Sequence, residues 1–170
     1  DLINLHWVPR FLDYPSFFRR NNKPLVWTLH DMNPFLGGFH YEGDLHRNSE
    51  ALKELNEQIR QQKIKALEKA RVHVVAPSEW MFKTSHHSQV FSSFPHTHIP
   101  YGMDLSVFKP LDKRFCREVF NLPQDKTILL FISESIDNHR KGFDLLQAAF
   151  TGLDTSSITL CTVGNREPAK

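Results

Sequence analysis

The run WTLHDMNPFLGGFHY, residues 27–41, sets a histidine beside an aspartate at the end of an apolar segment and follows them with a proline and two glycines. The imidazole of His30 can donate or accept a hydrogen bond at neutral pH. The carboxylate of Asp31 can orient that ring, bind an acceptor group or cap the loop that follows. Gly37 and Gly38 let the backbone turn sharply or come close to a ligand. The pattern fits three things: a tight turn, a metal site or the rim of a substrate cleft. Arg140 and Lys141 form a second group, ahead of the stretch KGFDLLQAAF. A bidentate fork, a point charge and a helix N-terminus together suit a diphosphate, although such a pair at a turn also suits plain solvent. His6 and Trp7 end another apolar run. Trp7 offers a flat face to a sugar ring, and equally suits a core.

Other candidates carry less. His96 and His98 alternate on a strand-like segment and share a face, but no third ligand accompanies them, so neither a metal nor another cofactor is expected. Cys116 and Cys161 are the only cysteines and lack metal spacing. They favour a reducing compartment over a zinc ribbon or a disulfide scaffold. The formal net charge is +2, with no basic block, so nucleic acid is not an expected partner. No apolar run approaches the ~18 residues of a membrane-crossing helix. With 170 residues, 40% apolar and 24% charged, the chain has a globular composition and can build a core. It opens inside the apolar run DLINLHW, without an initiator methionine or a signal peptide. The expectation is a piece of a longer protein.

These residues need elements to hold them. LINLHWV, KPLVWTLHD, RVHVVAPS, HTHIP, KTILLFISES and SSITLCTVG read as strands. Helices are expected over about 49–70, after Pro77-Ser78, around 114–121 and in KGFDLLQAAF. The first of these shows an apolar stripe of Leu52, Leu55, Ile59, Ala66 and Ala70. Strands alternating with helices predict an α/β fold with parallel sheets. In such sheets ligands bind beyond the carboxyl ends of the strands, where His6, His30, Pro77-Ser78 and the segment 133–141 fall. Pro100 and Pro110 bracket an irregular, Gly102-containing segment that reads as a hinge linker.

INLHW, KPLVWTLHDMNPFLGGFHY, VVAPSEWM, IPYGMDLSVFKP and RKGFDLLQAAF follow one another in a familiar order. The chain resembles glycosyltransferase family 4, the retaining enzymes of GT-B architecture, and most of all the bacterial branch that builds surface polysaccharides and exopolysaccharides. The resemblance implies two Rossmann-like domains across a cleft, both incomplete here. Residues 1–100 would be the second half of the N-terminal, acceptor-side domain, 101–110 the linker, and 111–170 the start of the donor-nucleotide domain. Strands before Pro100 and after Pro110 should then belong to different sheets.

The implied activity is transfer of a sugar from a nucleotide-sugar donor to a glycan or lipid-linked acceptor. His30 would be the catalytic histidine at the donor sugar. Lys141, with Arg140, would hold the donor phosphates. Asp31, Gly37, Gly38, His6 and Trp7 would line the acceptor side, with NPFLGG as part of the cleft wall. No metal is implied. The setting would be cytoplasmic, with peripheral attachment at the inner face of the bacterial membrane. This stretch is expected to be inactive alone and to fold marginally or with a partner.

Some features depart from the family. Relatives often carry Cys where Phe39 stands, and Gly where Ser133, Glu134 and Ser135 stand. Glu42 and Glu50 mimic the spacing of the family's glutamate pair but precede the linker, so that pair is expected beyond Lys170. Two alternatives are a sugar-nucleotide epimerase of the same architecture, against which TLHDMNPFLGG argues, and a noncatalytic protein that binds a glycan or a partner.

Overall fold

The computed structural model describes residues 1–165. The chain divides into two compact units, Asp1–Met103 and a second from Asp104 onward. The first contains β1 (Ile3–Leu5), α1 (Tyr14–Arg20), β2 (Leu25–Thr28), α2 (Asn33–Leu36), α3 (Glu42–Leu45), α4 (Glu50–Leu67), β3 (Val72–Ala76), α5 (Glu79–His86) and β4 (His96–His98). The second contains α6 (Lys113–Val119), β5 (Thr127–Ser135), a 3-10 turn (His139–Lys141), α7 (Phe143–Phe150) and β6 (Ile158–Asn165).

The protein is α/β with parallel sheets. In the first unit the sheet order is β1-β2-β3-β4, every pair parallel. In the second unit β5 pairs with β6, also in parallel. The VHVVA and ILLFI strands thus lie in different sheets. The division between the units falls inside the irregular segment bracketed by Pro100 and Pro110.

Alternation along β2 and β3 decides which side of the first sheet is buried. Leu25, Trp27, Val72, Val74 and Ala76 are buried, whereas Val26, Thr28, His73 and Val75 are only partly covered. Strands that follow one another in chain order through right-handed crossovers send their helices to one side. Parallel sheets are normally covered on both faces. Here the second face carries Asn4, Val26, Thr28, His73, Val75 and Thr97, crossed by a hydrogen bond from Thr28 to Asn4 at 3.4 Å and a His73–Thr97 contact at 2.7 Å. The strand order does not reverse among these four strands.

Trp27 is fully buried and is the centre of the core. Phe91 meets it edge-on at 5.5 Å, and Tyr14 and Phe18 of α1 lie at 5.6 and 6.0 Å. Helix α1 was not among the expected elements, yet its start is signposted. Asp13 accepts a hydrogen bond from the Ser16 N–H, and Pro15 sits in the first turn. Ser78 caps α5 in the same way through the Met81 N–H.

Helix α4 corrects the expected apolar stripe. Leu52 and Leu55 are 45% and 48% exposed, and the residues turned fully inward are Asn56, Lys63 and Leu67. Ala66 and Ala70 pack against the core as read and Ile59 is half-buried, but the helix also turns Asn56 and Lys63 inward, because it covers polar backbone as well as the core. Among the described residues no helix is long and apolar enough to cross a membrane.

Phe91 comes from the irregular stretch between α5 and β4, is fully buried, and also meets Phe35 and Phe94. Phe91→Ala is expected to cost about 3–5 kcal/mol, a large share of a domain's stability. Urea unfolding followed by tryptophan fluorescence measures it, with Phe91→Leu expected to lose clearly less.

Candidate functional site

Parallel pairing of β1 with β2 in the register Leu5↔Trp27 brings the residues after both strands to the same end of the sheet. His6, Trp7, His30 and Asp31 therefore meet, although 24 residues separate each pair. His6 Nδ1 lies 3.0 Å from His30 Nε2. His30 Nδ1 lies 2.8 Å from the Tyr101 hydroxyl, which is also 3.3 Å from the Leu29 carbonyl oxygen. The Tyr101 ring lies nearly parallel to that of His30, 14° apart. Burial, with Tyr41 and Asp31 behind it, raises the Tyr101 phenol above its usual range.

The Tyr101 hydroxyl has a single proton, so the row has two consistent states. If Tyr101 donates to Leu29, His30 carries its proton on Nδ1 and accepts from His6. If Tyr101 donates to His30, the direction reverses, and His30 donates from Nε2 to His6. Either way the imidazole of His30 is held at both nitrogens while remaining exposed.

Asp31 is buried and turned away from His30. One carboxylate oxygen accepts from the Trp7 indole N–H at 3.0 Å and from His40 Nδ1 at 2.6 Å. The other accepts from the Asn33 N–H at 2.9 Å. Asp31 therefore positions Trp7, His40 and the loop, and does not orient His30.

The loop after Asp31 is packed from beneath. Asn33, Pro34 and Phe35 are buried. The Lys63 ammonium, from α4, donates to the carbonyls of Asn33 and Gly37, both at 2.5 Å. The Asn33 amide donates to the carbonyls of Gly37, Gly38 and Phe39, and the Asn56 side chain accepts from the N–H groups of Gly38 and Phe39. Gly37 has φ 147°, and a Cβ there would stand 2.2 Å from the Asn56 carbonyl oxygen. The demand for glycine at 37 thus comes from α4 and not from a ligand. Gly38 is exposed, with Ile59 beneath it. NPFLGG is a packed turn within this unit, with Gly38 exposed on it.

The remaining expected residues lie elsewhere. Arg140 and Lys141 are in the second unit, exposed on the 3-10 turn, which runs into α7 through Gly142 at φ 76°. The Asn138 side chain accepts from the Arg140 N–H at 3.1 Å. Ser133 is buried, and its hydroxyl donates to the Ser135 carbonyl, while Glu134 is exposed. His96 Nδ1 contacts the Phe94 carbonyl, and His98 is exposed. Glu42 and Glu50 begin α3 and α4. Among the described residues no three His, Cys, Asp or Glu side chains converge as metal ligands, and both cysteines are free.

Sequence reasoning missed Tyr101, His40, Asn56 and Lys63. His40 stands inside the first quoted run and Tyr101 next to Pro100, so both were in view without a partner to suggest them. Lys63 offered no signal, because a lysine on a helix ordinarily reads as solvated.

Tyr101→Phe is expected to release the His30 ring. Nitrogen-15 NMR of the histidine rings should find the His30 Nδ1 signal shifted in the variant, because its partner is gone, with the His40 signals unchanged.

Burial lowers the Lys63 pKa from 10.5 to about 8, with the Asp31 charge raising it part of the way back. The unfolded chain keeps a proton between those values that the folded chain has released, so stability rises with pH from about 8 to about 10.5. Tyr14 opposes this at the upper end. Burial first, then Asp31, push its phenol above 10.0, so the unfolded chain ionises first and stability falls once pH passes 10.0. Urea midpoints are expected to rise from about pH 8 to about pH 10, and that rise should be absent in Lys63→Met.

No protein-family model matches the chain, and a search of the curated proteins finds no significant match.

Proposed function

We propose that this chain is part of a retaining GT-B glycosyltransferase that moves a sugar from a nucleotide-sugar donor to a glycan or lipid-linked acceptor in polysaccharide biosynthesis. The observation that carries the reading is His30, exposed past the carboxyl end of β2 and held at both ring nitrogens by His6 and Tyr101. A histidine fixed in this way is already oriented, and it takes a hydroxyl of the reacting sugar by exchanging its bond to His6 or to Tyr101 for one to the substrate. The α/β fold with parallel sheets is compatible with GT-B.

In this reading the bond between the anomeric carbon and the diphosphate breaks, the acceptor hydroxyl oxygen bonds to that carbon, its proton passes to the departing diphosphate, and the diphosphate carries the developing negative charge. Lys141 and Arg140, exposed ahead of α7, supply the positive charge that stabilises it. The α7 N-terminus, which has no side-chain cap, adds N–H groups to this charge. In this reading the cations and N–H groups do the neutralising without a metal. A lipid-linked acceptor would place the protein at the inner face of a bacterial membrane.

The test uses the full-length protein that carries this chain. Lys141→Ala is expected to weaken sugar-nucleotide binding about ten- to a hundredfold, the loss of a charge-assisted contact of ~1.5–3 kcal/mol. His30→Ala is expected to lower kcat while leaving donor affinity within about threefold. Calorimetric titration and initial-rate kinetics read the two effects. Unchanged donor affinity in Lys141→Ala rejects the phosphate assignment, and unchanged kcat in His30→Ala rejects the role of the histidine.

A further inference from the structure

Trp7 and His40 form a rigid aromatic surface with an unusual support. Trp7 is 58% exposed, a poor position for so large an apolar ring. It is nevertheless not loose. Its indole N–H is tied to Asp31 Oδ2 at 3.0 Å, and its ring stacks on His40 with 6.0 Å between centroids and 21° between planes. His40 Nδ1 reaches the same Asp31 oxygen at 2.6 Å. A carboxylate accepts only, so His40 carries its proton on Nδ1 and presents Nε2 outward. One buried carboxylate thus anchors both rings, and the Asn33 N–H holds that carboxylate in turn.

We infer that Trp7 and His40 are a carbohydrate subsite that takes one pyranose ring of the acceptor. An indole face is apolar with a negative quadrupole, so it attracts the slightly positive C–H bonds on one face of a pyranose. The neighbouring groups suit the hydroxyls at the rim of such a ring. His40 Nε2 accepts, and His6 Nε2 can donate or accept, depending on the direction of its bond to His30. Neither nitrogen has a hydrogen-bond partner among the described residues. Because both rings are already fixed, stacking costs little side-chain freedom. The assignment to the acceptor rests on the proposed function, whereas the subsite rests on the geometry alone.

Nitrogen-15 NMR of the full-length protein that carries this chain tests it, with the Trp7 indole N–H signal assigned by its loss in Trp7→Phe. Methyl pyranosides and short gluco- and galacto-oligosaccharides are titrated in one arm, and uridine and guanosine monophosphates in the other. The expected result is a saturable shift of the Trp7 indole signal with at least one saccharide. Trp7→Ala should then lose about tenfold or more in affinity, and Trp7→Phe should stay within about threefold. Asp31→Asn should weaken saccharide binding with Trp7 intact, since an amide is a poorer acceptor for two ring N–H donors. The inference is overturned if no saccharide shifts Trp7, if only the nucleotides do, or if Trp7→Ala binds as well as the natural chain. Saccharide binding at Trp7 in a full-length protein that transfers no sugar keeps the subsite and rejects the transferase reading. Transfer with an acceptor KM unchanged by Trp7→Ala does the reverse.

Discussion

The buried ammonium of Lys63 is the constraint on which the first unit's functional end depends. It enters from α4 and takes the carbonyls of Asn33 and Gly37, while its charge rests near Asp31 and over the Tyr14 ring at 5.0 Å. A buried charge is tolerated only where hydrogen bonds and opposite charge replace its water. The loop after β2 has the complementary need, since its buried carbonyls require donors. Each satisfies the other. Asn56, seven residues earlier on the same inward face of the helix, accepts from the neighbouring N–H groups of Gly38 and Phe39. Helix α4 is therefore a polar clamp as much as a core helix, and Gly37 is small because the clamp leaves no room for a Cβ.

The clamp fixes the loop, and the loop fixes the chemistry at its start. Asp31 receives the Asn33 N–H from the loop side and the Trp7 and His40 rings from the other. With Asp31 engaged there, His30 depends on a separate row, His6 to one side and Tyr101 to the other. Two adjacent residues of the HD pair thus serve two unlike ends. The aspartate is structural and buried, and it positions an exposed aromatic face. The histidine is exposed, and its two ring nitrogens are taken by His6 and Tyr101 rather than by the carboxylate.

This division of labour suits sugar chemistry. A transferase of this kind must orient hydroxyl groups and stabilise a departing diphosphate. In the proposed function, held imidazoles and an indole face would do the first, and exposed cations before a helix the second. Neither requires a converging set of metal ligands.

Much of this was legible in the residues themselves. Branched and aromatic runs such as LVWT and VHVVA favour strands with at least one buried face, and Ser78 announces α5 because its side chain replaces a missing backbone partner. The placement of His30, Asp31, His6 and Trp7 at strand ends follows from the same local rules. Their roles did not follow. Which strand lies beside β1, and in what register, is a matter of long-range packing, and it alone sets His6 against His30 and Trp7 against Asp31. The apolar stripe of α4 misled because its period constrains spacing but not the angle at which the helix meets the loop. Lys63 and Asn56 turn inward only because unsatisfied backbone groups wait there, and those groups exist only once the chain has folded over them.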